Sequence, residues 1–199
     1  MRHDCKIAMV LFFANISIST GVAFADDKLK GTYAVAGTQA CLAAPSGFAD
    51  DSKGNPAIAN GNDSSVSVGS FQTRFTFNGD ETGTASGTFV VMPPPPPAKG
   101  AVGAGTFSFS FTHTAVANNS FTLAVTPRTY EGSVNYGPAA GLQFTIDTYH
   151  RVFHLSNDQK YGTMTITTPE VEHVIWWEGS QTKSLARICY TAGSVARLD

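Results

Sequence analysis

Three groups of side chains carry most of the chemistry this sequence could perform. The first is Asp147, Tyr149, His150 and His154. On a continuous strand Asp147 and Tyr149 share a face, where one could accept a proton and the other donate it. The two histidines are metal-ligand types, but a spacing of four aligns side chains on a helix. Along one strand face it separates them by about 13 Å at ~3.3 Å per residue, so a solvated polar row is the plainer reading. The second group is Glu172, His173 and Glu178. Its glutamates also share a face, yet they stand roughly 20 Å apart on an extended strand, too far for a glycosidase pair unless the strand bends. Asp147, Tyr149 and Glu172 are therefore the residues that acid–base catalysis would draw on, and no metal site is expected. The third group is the row Phe107, Phe109, Phe111 and His113, in which a core or rim histidine is the plainer reading of His113. Trp176 and Trp177 are adjacent and must face opposite ways on a strand. One should be buried; the other should be exposed or at a mouth, where a large aromatic can stack on a ligand or carbohydrate. The binding candidates are thus Trp176, Trp177, Phe107, Phe109, Phe111 and His113.

The chain has no Gly-x-Ser-x-Gly elbow, no His-Glu-x-x-His, no P-loop and no Gly-x-Gly-x-x-Gly opening a helix. This argues against hydrolases, zinc proteases and nucleotide enzymes of those types, and no cofactor is expected.

The elements that position these residues read as strands. Val171 to Glu178 alternates, Gly179 to Lys183 reads as a turn, and Leu185 to Tyr190 as the returning arm of a closing hairpin. Thr106 to Thr114 alternates phenylalanine with serine and threonine, the pattern of a strand with one buried and one wet face. Leu142 to Leu155 reads as one strand with Leu142, Phe144 and Ile146 on one face and Gln143, Thr145, Asp147 and Tyr149 on the other. Leu29 to Gly37 opens the fold, Ala44 to Asn62 reads as a long loop, and Ser65 to Phe77 pairs with Thr82 to Met92 across an Asn78-Gly79 turn. The five prolines from Pro93 to Pro97 begin a loop. Phe121 to Val125, Tyr130 to Tyr136 and Tyr161 to Thr168 complete the set. No segment sustains an apolar row at helical spacing, although Ser184 to Tyr190 could form a short helix.

Residues 1–25 read as a cleaved export leader: Arg2 and Lys6, then an apolar run, then Ala23-Phe24-Ala25 before two aspartates. Cys5 leaves with it. Removing Arg2, Lys6 and Asp4 from 13 basic and 15 acidic residues leaves 11 and 14, a formal charge of −3. That balance suggests neither nucleic acid nor an anionic membrane surface, and the mature chain has no membrane span. Residues 26–199 suit a single domain. Its two cysteines, Cys41 and Cys189, are expected to pair in the bacterial periplasm or outside the cell, tying the first strand region to the last.

Roughly eight to ten strands joined by short turns describe an all-β antiparallel meander. Closure into an up-and-down barrel hides its edges and makes first and last strands neighbours; a two-sheet sandwich is the alternative. Gly31-Thr32-Tyr33 resembles the Gly-x-Trp that opens lipocalins, with tyrosine in place of tryptophan, and the chain is similar to that family in length, export and strand-rich layout. The allene oxide cyclase type of barrel is similar in layout. The lipocalin resemblance implies a calyx-like barrel holding a small apolar molecule. The expectation is an exported, monomeric or weakly oligomeric β-barrel that binds a small apolar or amphipathic ligand without catalysis. The alternatives are a barrel-type cyclase or isomerase, and a surface or matrix protein-interaction module.

Overall fold

The computed structural model describes residues 29–51, 55–59, 64–92, 102–117, 119–166, 168–178 and 180–199. The leader, Cys5 and the proline run lie outside them. Thirteen strands are present among the described residues. The first six are β1 (Lys30–Ala44), β2 (Phe48–Asp50), β3 (Pro56–Ile58), β4 (Ser65–Asn78), β5 (Thr82–Met92) and β6 (Gly103–Ala117). They are followed by β7 (Ser120–Val125), β8 (Glu131–Tyr136), β9 (Gln143–Ile146), β10 (His150–Leu155), β11 (Tyr161–Thr165), β12 (Val171–Glu178) and β13 (Gln181–Arg197). Every pairing is antiparallel. β2 and β3 form a separate hairpin, and the other eleven strands form one sheet that closes on itself through β13 and β1.

The closed sheet is a barrel of eight staves, three of which are broken at mid-height. β1, β4, β5, β6 and β13 are long and continuous. Beyond β6, its edge is shared end to end by β7, which pairs at Phe111↔Val125, and β8, which resumes at Ser108↔Glu131. The edge of β13 is shared likewise by β11, ending at Thr165↔Ala192, and β12, starting at Val171↔Ile188. β10 bridges β7 to β11, and β9 bridges β8 to β12. The staves thus follow one another in chain order: β1, β4, β5, β6, β7 with β8, β9 with β10, β11 with β12, and β13. The breaks at 126–130, 147–149 and 166–170 are level with one another and form a seam across one side of the wall. Two of them hold a proline, Pro127 and Pro169, which cannot donate to a ladder. At the first break Thr129 takes over the ladder's role, its hydroxyl accepting from the Ser110 amide at 3.0 Å while the Thr126 amide donates to the Ser110 carbonyl.

The expected closure is present, and Cys41 and Cys189 form a disulfide directly across the β1–β13 pair. Several boundaries differ. The segment 142–155 is two strands, and its break inverts the alternation: Phe144 and Ile146 face the lumen before it, Tyr149, Arg151 and Phe153 after it. Asp147 and Tyr149 consequently face opposite ways, not the same way. β1 runs through Gly37 to Ala44, because Gly37 is where the Phe71 ring and the β13 backbone approach too closely for any side chain. The segment 44–62 contains the β2–β3 hairpin rather than loop alone. The last turn is shorter than Gly179 to Lys183, and Ser184 to Tyr190 is strand.

Aromatic rings fill the lumen. Phe75 packs edge-on against Phe109, Phe111 and Phe153, and Phe77 against Tyr33, Phe111 and Phe153. Inward glycines make room for them. Gly83, Gly87, Gly105 and Gly132 stand directly opposite Phe111, Phe107, Phe89 and Phe144, and each ring lies against the neighbouring strand where the glycine lacks a Cβ. The packing is graded along the axis. At the end of β7, β10 and β11 the inward residues Tyr33, Leu123, Phe153, Met164 and Val195 are buried. At the end of β8, β9 and β12 the inward Phe89, Phe144 and Val174 are only partly buried. The first end is closely packed; the second, looser at these three positions although Ile146 and the Cys41–Cys189 pair are buried there, is termed the mouth.

Candidate functional site

The seam interrupts an apolar wall, so the side chains that fill it decide what the lumen can do. Arg151 at the start of β10 and Glu172 at the start of β12 point inward from opposite sides of the seam, each 1% exposed at its side chain. Arg151 donates from Nη1 to the His150 carbonyl at 2.6 Å and from Nη2 to Glu172 Oε1 at 2.9 Å. Arg187 is the cross-strand partner of Glu172 and donates from Nε to Oε2 at 2.9 Å, with Nη2 at the same distance. Both carboxylate oxygens are therefore engaged by guanidinium groups. The Arg151 guanidinium lies 3.6 Å from the centre of the Tyr149 ring, a cation–π contact in a desolvated setting. Tyr149 in turn packs on Tyr130 and Phe109.

The electrostatics of this cluster are unbalanced. Two guanidinium groups share one carboxylate, and Glu172 is the one acidic side chain that is buried among the described residues. The Nε of Arg151 is buried without a hydrogen-bond partner. Burial lowers the pKa of Arg151, but Tyr149 and Glu172 outweigh it and the net shift is upward, so the guanidinium stays charged. Burial pushes the Tyr149 phenol up against the opposing pull of Arg151, and pushes the Tyr130 phenol up as well, with Tyr149 adding to it. Both phenols are neutral donors at ordinary pH.

Toward the mouth the lumen keeps a cavity of about 60 Å³, lined by Arg187, Tyr130, Tyr149 and the rings of Phe71, Phe89, Phe107 and Phe144, among others. That is room for about two waters at ~30 Å³ each. Pockets for drug-sized molecules are about 300 Å³ or more, so this cavity by itself holds only part of such a molecule. Of the phenylalanine row only Phe107 lines this cavity; Phe109, Phe111 and His113 are buried among other rings. His113 touches Phe77, Phe111 and Phe121, and its Nε2 has no partner. Burial lowers its pKa, against an opposing pull from Glu81 and Asp80.

The polar groups that look clustered in the sequence are divided by the wall. Asp147 is on the outside, accepting from the His173 amide at 3.0 Å and pairing with the His173 ring at 3.2 Å. His150 pairs outside with Glu170 at 2.6 Å, and His154 with Ser120 at 2.8 Å. Tyr149 and Glu172 are inside. Acid–base chemistry would thus find Asp147 on the wrong side of the wall and Glu172 already holding two arginines. Among the described residues no three His, Cys, Asp or Glu side chains converge on a metal position, and no helix is long and apolar enough to cross a membrane. Trp176 and Trp177 do face opposite ways. Trp176 shares the inward face of Glu172 and Val174, half-buried at the mouth; Trp177 is 51% exposed on the outer wall. Trp177 borders a broad outer groove of about 920 Å³, with Ile175, Gln143, Thr145, Asp147, Glu131 and Arg128 among its lining. This groove is the larger concavity, but the buried charges do not line it.

No protein-family model matches the chain, and comparison with curated proteins finds no relative. The site must be read from its own residues.

Arg151, Arg187 and Tyr130 are the members that the sequence reading passes over. A signal for Arg151 exists: it occupies the apolar row of Phe153 and Leu155, where a charge is out of place. Nothing in the sequence points to Arg187, which acquires its meaning from the register that sets it opposite Glu172.

Proposed function

We propose that the protein is exported and acts as a non-catalytic receptor for a small apolar or amphipathic molecule, taken up at the mouth of the barrel. The observation that carries this reading is the graded lumen. An interior packed shut at one end leaves inward aromatic and aliphatic side chains partly wet at the other, around a small cavity. Apolar area left in water forgoes about 25 cal/mol per Å², which an apolar ligand recovers. The cavity admits one end of such a ligand, and the remainder lies among Phe89, Phe144, Val174 and Trp176. The Cys41–Cys189 disulfide supports export, because such bonds persist in oxidising compartments.

The neutral fluorophore N-phenyl-1-naphthylamine tests this. Its emission is expected to rise saturably on addition of the purified protein, and Trp176→Ala is expected to weaken the binding by about tenfold. Trp177→Ala, on the outer wall, should leave it unchanged. Absence of saturable binding, or equal loss in the two variants, would overturn the assignment.

A further inference from the structure

We infer that the ligand taken at the mouth carries a single anionic head group, such as a carboxylate, which lodges beside Arg187 and makes up the charge missing from the Arg151–Glu172–Arg187 cluster. This inference rests on the receptor reading above and specifies its ligand.

Removing an ion from water costs several kcal/mol even after relaxation, and a buried ionic cluster offsets that cost only when its charges balance and its hydrogen-bonding groups are used. Here they do not balance: two cations and one anion meet at the seam, and one buried guanidinium nitrogen is left over. The two arginines differ in access. Arg151 is enclosed, with its guanidinium against the Tyr149 face. Arg187 is 18% exposed and lines the cavity that opens toward the mouth. The uncompensated charge is therefore reachable from the lumen at Arg187 and nowhere deeper.

The surroundings choose the sign and shape of the guest. Arginine recognises planar oxyanions through paired N–H groups. Neutral phenols add donors without adding negative charge, and Tyr130 and Tyr149 share the cavity lining with Arg187. A cation would meet repulsion there. The cavity of about 60 Å³ suits a head group and not a whole molecule, while the rings beyond it accept an alkyl or aryl tail. Glu172 acts here as a positioning residue: it holds both guanidinium groups across the seam and touches the ligand only through them.

Dodecanoate and dodecanol, equal in tail and differing in charge, provide the test by competition with N-phenyl-1-naphthylamine at pH 7. Dodecanoate is expected to bind at least about tenfold more tightly than dodecanol. Arg187→Met removes the excess charge and leaves a balanced Arg151–Glu172 pair, so it should lower dodecanoate affinity to the dodecanol level while dodecanol is unaffected. Arg187→Lys, which keeps the charge, should retain the preference. Equal binding of the two probes by the wild-type protein would overturn the head-group assignment and leave the receptor reading in place, and this comparison needs no variant. An equal fall for both probes in Arg187→Met would overturn it too, by showing a structural role only. Acetate competing as strongly as dodecanoate would reduce the site to a small-anion pocket and overturn the amphiphile. If neither dodecanoate nor dodecanol displaces the fluorophore or binds, both readings fail together.

Discussion

At the scale of single residues, burial sets the behaviour of the ionisable groups more than their types do. Glu172 and Asp147 are both carboxylates in segments that read as polar clusters, yet one is sealed against two arginines and the other pairs with His173 in water. His113 is a third case. It is packed among phenylalanine rings with no partner for Nε2, and its pKa is lowered. Unfolded, it titrates near ~6.5. Between that value and its lower folded value the unfolded chain binds more protons than the folded one. The contribution of His113 to stability is therefore intact above about pH 6.5 and is lost as the solution becomes more acidic. Thermal melts of the wild-type protein and His113→Leu from pH 7.5 downward should show a shallower acid-side decline in the variant. Parallel declines would mean that His113 is not the group responsible.

At the scale of elements, the wall is organised by what its strands lack. Inward glycines opposite phenylalanines let each ring lie across the neighbouring strand, an arrangement that ordinary β-propensity would count against those strands. At Gly83 an added Cβ would run into the Phe111 ring and the Thr76 carbonyl. Gly83→Ala is accordingly expected to destabilise the protein by about 1–3 kcal/mol, the usual range for overpacking, as read from chemical denaturation. Gly47 has open space around the same position but a φ of 82°, so an alanine there would report backbone strain in place of crowding. The periodicity of most strands was legible, including the inward row of β6 and the split of Trp176 from Trp177. The break inside 142–155 is missed by treating the segment as one strand, although its apolar row passes from Leu142, Phe144 and Ile146 to Phe153 and Leu155. That one inversion separated Asp147 from Tyr149 and brought Arg151 inward.

At the scale of the whole molecule, the seam divides one side of the barrel into two tiers of unequal strength. β10 is held by five register pairs to β7 and four to β11, whereas β9 is held by two to β8 and three to β12. The mouth tier should therefore open locally at lower free energy. Hydrogen exchange is expected to show the amides of β9 exchanging faster than those of β10, with protection of β9 rising when the mouth is occupied. Uniform protection across the two tiers would contradict this. The sequence by itself determined the all-β class, the Asn78-Gly79 hairpin and the expectation that Cys41 and Cys189 join the first strand to the last, because alternation, turn chemistry and cysteine count follow from local pattern. Only the tertiary structure decided that three breaks fall at one height, that Arg151, Glu172 and Arg187 meet there with one positive charge in excess, and that a small cavity lies beside Arg187. Those outcomes depend on register between strands far apart in the chain, and register is a property of pairs of strands that no single segment records.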